Sequence, residues 1–333
     1  MKILQRAAIA LFLAILCATA PAEAQSQHRK VAILLFDGIE ILDFTGPYEV
    51  FGSAGYDVFT VAASKKPVTT YLGMQVMPQF TFADAPQADV VVIPGGGVSD
   101  AAVSPATLQW IKTETVKAQH TMSVCNGAFI LANAGLLDGL SATTTYGWIP
   151  TLRAKYSKIK VIADRRWADN GKIITTAGLS AGIDGALHVV ALMDGEASAQ
   201  QVALGIEYDW RPRDGFVRAA LADRLIPRVD LSQIGQASLE WTEGDRDHWK
   251  IATRLASNLS SDAVVDRIRA AYAKAYAAKG NWNPGVRLSA SGKTASNIQF
   301  TDREGHSWNG VLAIDSSGKS GLYTVSYTTK RAD

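Results

Sequence analysis

The stretch Thr121-Met-Ser-Val-Cys125-Asn-Gly-Ala-Phe-Ile130 carries the residue best suited to covalent chemistry. A β-branched and apolar run ends at Val124, Cys125 follows, and the small residues Gly127 and Ala128 lead into a second apolar run. This is the layout of a strand–nucleophile–helix turn. A side chain there stands at the carboxyl edge of a sheet and at a helix N-terminus, where backbone N–H groups and the helix dipole favour a thiolate over a thiol. The alternative is a buried structural cysteine, since free Cys behaves as a small hydrophobe.

Asp43 is the natural partner of Cys125. A carboxyl group beside a thiolate has its pKa raised by like charge and partial burial, so it can hold a proton and act as general acid or base. The plainer alternative is that Asp43 caps a helix opening at Pro47. Glu40 is a possible second acid, or an exposed turn carboxylate. Gly95, Gly96 and Gly97 can turn N–H groups toward a developing oxyanion, with the amide of Asn126 joining them; a simple strand-to-loop turn is the other reading. Thr143, Thr144, Thr145 and Tyr146 either line a pocket or form a hydroxyl-rich strand. None of His28, His120, His188, His248 and His306 is placed by pattern for a Cys–His pair, and none has metal-ligand spacing. No metal and no cofactor are expected.

The N-terminus bears on the cysteine. Lys2 and Arg6 precede an apolar run from Ala7 to Ala18, and Ala22-Glu23-Ala24 fits a small-x-small cleavage site. Residues 1–24 therefore read as a secretory signal peptide, and the mature chain as periplasmic or secreted with no membrane segment. Cleavage removes Cys17 and leaves Cys125 alone. Exported proteins usually keep cysteines in pairs, so a lone thiol argues for chemistry. The 333 residues are 47% hydrophobic and 19% charged, with a formal net charge of +2. That fits a globular protein with a sizeable core and implies no electrostatic pull toward nucleic acid.

The elements that must position these residues alternate. Val31–Phe36, Tyr56–Ala62, Asp89–Ile93 and the run into Cys125 read as strands, the first, third and fourth as central ones. Val68–Pro78 reads as a hairpin turning at Gly73. Helices are expected from Pro47 to Gly52, Pro105 to Gln119, Cys125 to about Asn133, Ile149 to Tyr156, and from an N-cap at Ser180 through Leu192. Trp167 and Ile173–Thr176 flank a hairpin turn at Asp169-Asn-Gly171. The order describes a doubly wound α/β domain, whose sites lie at the carboxyl ends of strands. Asp43, the glycines and Cys125 share that edge. Beyond it, Phe216–Ile226, Trp249–Leu259 and Asp262–Ala278 read as helical. Val286–Ala290, Asn297–Thr301, Trp308–Ile314 and Leu322–Thr329 alternate as a small antiparallel β tail. The expected divisions are 1–24, 30–214, a helical extension at 215–279 and a β subdomain at 280–333.

Several blocks together resemble the DJ-1/PfpI superfamily, with its class I glutamine amidotransferase-like fold. They are VAILLFDGIEILDFTGPYEVFG at Val31–Gly52, VVVIPGG at Val90–Gly96, SVCNGAFILANAGLLDG at Ser123–Gly139, ATTT at Ala142–Thr145 and GLSAGIDGALH at Gly178–His188. The nearest branches are the isonitrile hydratase-like proteins and the sensor domain of AraC-type regulators. The resemblance implies a flavodoxin-like sandwich, usually dimeric, with Cys125 as elbow nucleophile and Asp43 as its acidic partner. It also implies Gly96 and the amide after the cysteine as oxyanion donors. Two positions depart from the pattern: Asn126 stands where the hydratase-like branch has Thr, and Thr145 where many members have His. The implied function is hydration or hydrolysis of a small electrophile, isonitriles among them. The alternatives are a small-molecule or redox sensor on the same pocket, or a protein-binding adaptor. The expected partners are a small-molecule substrate and a second copy of the chain.

Overall fold

The computed structural model describes residues 28–101, 104–213, 216–278, 280–283 and 285–332. The segment read as a signal peptide, with Cys17, lies outside them. The chain forms two compact units, one holding residues up to 214 except 162–165, the other holding those four and the residues from 215 onward.

The first unit alternates as its sequence pattern requires. In order come β1 (Lys30–Leu34), α1 (Ile41–Ser53), β2 (Asp57–Ala62), β3 (Val68–Thr69), β4 (Gln75–Val76), β5 (Phe80–Thr81), β6 (Val90–Ile93), α2 (Pro105–Lys117), β7 (His120–Ser123) and α3 (Gly127–Asn133). Then follow β8 (Ser141–Ala142), α4 (Ile149–Lys155), β9 (Lys160–Val161), β10 (Trp167–Asp169), β11 (Ile173–Thr176), α5 (Ser180–Asp194) and α6 (Glu196–Gly205). The main sheet runs β10-β11-β7-β6-β1-β2-β5, parallel except for the edge pair β10–β11.

Central strands of this sheet are buried on both faces, which is why they read as continuous apolar runs. Alternate residues feed two separate cores. Val31, Ile33, Val90, Val92 and Met122 pack with α1, α5 and α6 residues such as Phe44, Phe51 and Leu187. Ala32, Leu34, Val91 and Ile93 pack on the other face with Ile111, Ile130 and Leu131 of α2 and α3. The sandwich is thus flavodoxin-like in layering.

Two local expectations need correction. The helix expected to open at Pro47 begins six residues earlier, at Ile41, and holds Pro47 in its interior; Asp43 therefore lies inside its first turn rather than ahead of it. Ser180 is the first residue of α5, not its N-cap. Leu179 occupies that position with φ 55° and ψ −114°.

The second unit contains β12 (Gln236–Gly244), β13 (His248–Ala256), α7 (Ser261–Ala277), β14 (Arg287–Ala290), β15 (Ala295–Thr301), β16 (Ser307–Ser316) and β17 (Leu322–Arg331). Its sheet has the order β12-β13-β17-β16-β15-β14 and is antiparallel throughout. Trp249–Leu259, expected as helix, is mostly strand β13, and Phe216–Ile226 holds two short 3-10 turns. The strands expected in the tail are present, joined by β12 and β13 into one six-stranded sheet. Helix α7 buries Val264, Val265, Ile268, Tyr272 and Tyr276 against Ile298, Leu312, Ile314 and Val325, the apolar stripe of an amphipathic helix.

Candidate active site

Cys125 sits between β7 and α3 with φ 54°, a left-handed conformation that costs a non-glycine residue energy and is held by its surroundings. The Cys125 N–H donates to the Ala177 carbonyl at 3.1 Å, and its carbonyl accepts from Thr144 Oγ1 at 2.8 Å. Gly127 lets the chain leave the turn against β6, since a Cβ there would lie 2.0 Å from the Ile93 carbonyl oxygen. The thiol is buried, with 8% of the residue exposed.

Asp43 reaches the same point from the first turn of α1. It is fully buried. Oδ1 accepts from the Leu179 N–H at 2.9 Å and Oδ2 from the Gly95 N–H at 3.2 Å. Its side chain also hydrogen-bonds Cys125. Burial pushes its pKa up to about 6, partly offset by the bonds from Leu179, Cys125 and Gly95, with the Glu40 charge adding a small upward push.

The thiol behaves differently from the sequence expectation. Desolvation and then the Asp43 carboxylate raise its pKa, while the Asn126 N–H and the Thr145 hydroxyl lower it less. The two groups thus titrate apart: near neutral pH the carboxylate is ionised and the sulfur keeps its proton. The resting state is a thiol bonded to a base, not a free thiolate.

The glycines split in role. The Gly95 N–H is given to Asp43 and the Gly97 N–H to the Gly38 carbonyl, so neither is open to a ligand oxygen. Gly95 also has no room for a side chain: a Cβ would lie 2.5 Å from the Asn126 nitrogen, 2.8 Å from Cys125 Cβ and 2.9 Å from Asp43 Oδ2. Gly96 has φ 117° and packs where a Cβ would meet the Gly38 oxygen at 2.3 Å. Asn126 donates from Nδ2 to the Gly96 carbonyl at 3.3 Å, and its N–H faces the thiol. Glu40 is only partly buried. Its N–H donates to the Gly95 carbonyl, and its carboxylate acts on Asp43 through charge.

Thr145 is brought to the sulfur, as is Gly178, where a Cβ would lie 3.2 Å from Sγ and 2.8 Å from Thr145 Oγ1. Thr144, Ala177, Gly178 and Leu179 complete the site. Thr144 is among the threonines the sequence offers as pocket-lining; Ala177, Gly178 and Leu179 were not singled out as site residues, although the GLSAG block contains two of them. His188 bonds Asp169 at 2.9 Å and stacks on Trp167, while His120 bonds the Gly171 carbonyl.

The chain is similar to several known proteins. A family model described as DJ-1/PfpI matches residues 29–192. The chain is 38% identical over 184 residues to the isonitrile hydratase of Pseudomonas putida, covering 54% of this chain and 78% of that protein. It is 28% identical over 198 residues to the HTH-type transcriptional regulator CdhR of Pseudomonas aeruginosa, covering 57% of this chain and 59% of the regulator. Among solved structures, a ThiJ/PfpI family protein from Pseudomonas syringae matches with TM-score 0.52 and 32% identity, over 59% of this chain and 83% of that one.

Proposed function

This chain belongs to the DJ-1/PfpI family, and on that premise we propose that it is a cysteine-dependent hydratase of small electrophiles, isonitriles being the first candidates. The observation that carries the reading is the buried pair of Cys125 and Asp43, in which a carboxylate ionised above about pH 6 bonds a protonated thiol. The 38% identity to an isonitrile hydratase supports the substrate class.

The pair suggests a route for R–N≡C. Sγ attacks the terminal carbon as its proton passes to Asp43, and Asp43 returns that proton to the carbon, leaving the thioimidate R–N=CH–S–Cys125. Water adds to the same carbon, and Asp43 carries the water proton to nitrogen. The C–S bond then breaks, the hydroxyl proton returns through Asp43 to sulfur, and R–NH–CHO leaves. The site gains by placing base and nucleophile in contact before substrate arrives, so little reorganisation is needed. The Gly96 and Asn126 amides are the candidate donors to the developing negative charge; Thr145 steadies the sulfur. Glu40 tunes Asp43 by charge.

Cys125→Ser should abolish conversion of an alkyl isonitrile to its N-alkylformamide, followed by proton NMR, with the melting temperature nearly unchanged. Product formation at an undiminished rate in that variant would remove the proposal.

The regulator similarity favours a second reading, a ligand-sensing pocket without turnover. It requires that an isonitrile or amide bind saturably with no product formed. We further propose that residues 1–24 direct export and that the mature chain is a homodimer. A mature N-terminus at Gln25 and a doubled mass in solution check these two points.

A further inference from the structure

Apart from residues 162–165, the second unit lies outside the span of the family match, and it contains a cleft of about 680 Å³, within the range of small-molecule sites. Its walls are the C-terminal end of α7 and the segment entering β14. Ala273 and Ala277 line the helix side, Val286 and Leu288 the strand side, and Tyr276 and Trp282 supply aromatic surface. Trp282 is held in place: its Nε1 donates to the Tyr276 carbonyl at 2.8 Å, its ring lies 4.9 Å from that of Tyr276, and Gly280 leaves space for it, since a Cβ there would meet the indole at 2.4 Å. The indole N–H being spent, Trp282 offers its ring.

Arg303 is the one charged residue lining the cleft among the described residues. The neighbouring acid does not claim it. Asp302 Oδ1 accepts the N–H groups of Glu304 and His306, and Oδ2 accepts Trp308 Nε1 at 2.9 Å and faces His306 Nδ1. Glu304 pairs instead with Arg224. Among the described residues, the Arg303 guanidinium has no ion pair or hydrogen bond of its own. A planar, permanently charged fork with no protein partner, lining a cleft that also offers aromatic and aliphatic surface, matches a carboxylate.

We propose that this cleft binds a small monocarboxylate with an aromatic or aliphatic body. The carboxylate pairs with Arg303, and the body lies against Trp282, Val286 and Leu288. The negative end of the α7 dipole fixes this orientation, because it disfavours an anion at the helix side. The proposal is independent of the chemistry at Cys125.

The test is calorimetric titration of the full chain with 2-naphthoate and octanoate, and with the neutral 2-naphthamide. Saturable binding of the carboxylates is expected. Arg303→Gln should weaken them at least about ten-fold while leaving the amide unchanged, as loss of a charge-assisted pair requires. Ala277→Phe should block carboxylates and amide alike, and Cys125→Ser should alter neither. The proposal is overturned if neither carboxylate binds the full chain up to about 1 mM, if Arg303→Gln binds both carboxylates as the parent does, or if Cys125→Ser abolishes binding. Arg303 is solvent-exposed, so its substitution tests the claim even if Ala277→Phe fails to fold.

Discussion

At the scale of single residues, the decisive feature is a carboxyl group that burial holds near pKa 6 beside a thiol that burial and the same carboxylate keep protonated. If Asp43 is the base, kcat/KM should rise with pH through about 6 and level off above it. The same shift acts on stability with a definite sign. The folded pKa lies above the unfolded value near 4, so the native state binds the extra proton between about pH 4 and 6. The contribution of Asp43 is therefore most favourable below pH 4 and is lost as pH rises to 6, by an amount on the order of 3 kcal/mol. Denaturant melts of the parent and Asp43→Asn at pH 4 and pH 7 check this: the difference between the two proteins should change by about that amount. A difference independent of pH would mean Asp43 titrates normally.

At the scale of elements, the elbow depends on the fit of α3 beneath β6. Gly127→Ala places a Cβ 2.0 Å from the Ile93 carbonyl oxygen, so backbone must move. A loss of about 1–3 kcal/mol is expected, with slower alkylation of Cys125 by a bulky maleimide as the turn shifts. Unchanged stability and alkylation would show that the turn tolerates a side chain. This is also where the sequence was most and least readable. The strand–Cys–helix junction was legible because apolar β-branched residues, a cysteine and small residues follow one another locally. That the Leu179 amide serves Asp43, and that Gly95 spends its N–H on the same carboxylate, was not legible. Both are contacts across the sheet edge between residues 52 and 136 positions apart. The α1 start was misplaced because proline is favoured in the first turn, whereas here Pro47 is tolerated inside. Trp249–Leu259 misled because Ile251, Ala252 and Leu255 have helical spacing. The structure instead pairs His248–Ala256 residue for residue with β17, and the bulge between Leu239 and Trp241 lies in the neighbouring strand β12. Strand β12 is exposed along its whole length, so no buried face marked it.

At the scale of the whole molecule, the two units have separate cores. The two clusters flanking the parallel sheet draw on residues up to Trp210, and the third on residues from Ala222 onward. A core cut in the second unit should therefore spare the site in the first. Ile268→Ala removes a fully buried side chain and should cost about 2–5 kcal/mol locally, while leaving formamide production by the first unit within two-fold, or about 0.4 kcal/mol. Differential scanning calorimetry beside the product assay reads both. Loss of activity in step with that melting transition would mean the two units unfold as one.

The central claim is that Cys125 forms a covalent bond to the substrate carbon. Peptide-mapped mass spectrometry of the full chain, acid-quenched during turnover of an alkyl isonitrile, tests it most directly. The account predicts the mass of one intact isonitrile added on the peptide bearing Cys125, forming more slowly in Asp43→Asn, which lacks the base that takes the thiol proton. An unmodified Cys125 peptide, together with formamide still produced by Cys125→Ser, would contradict it.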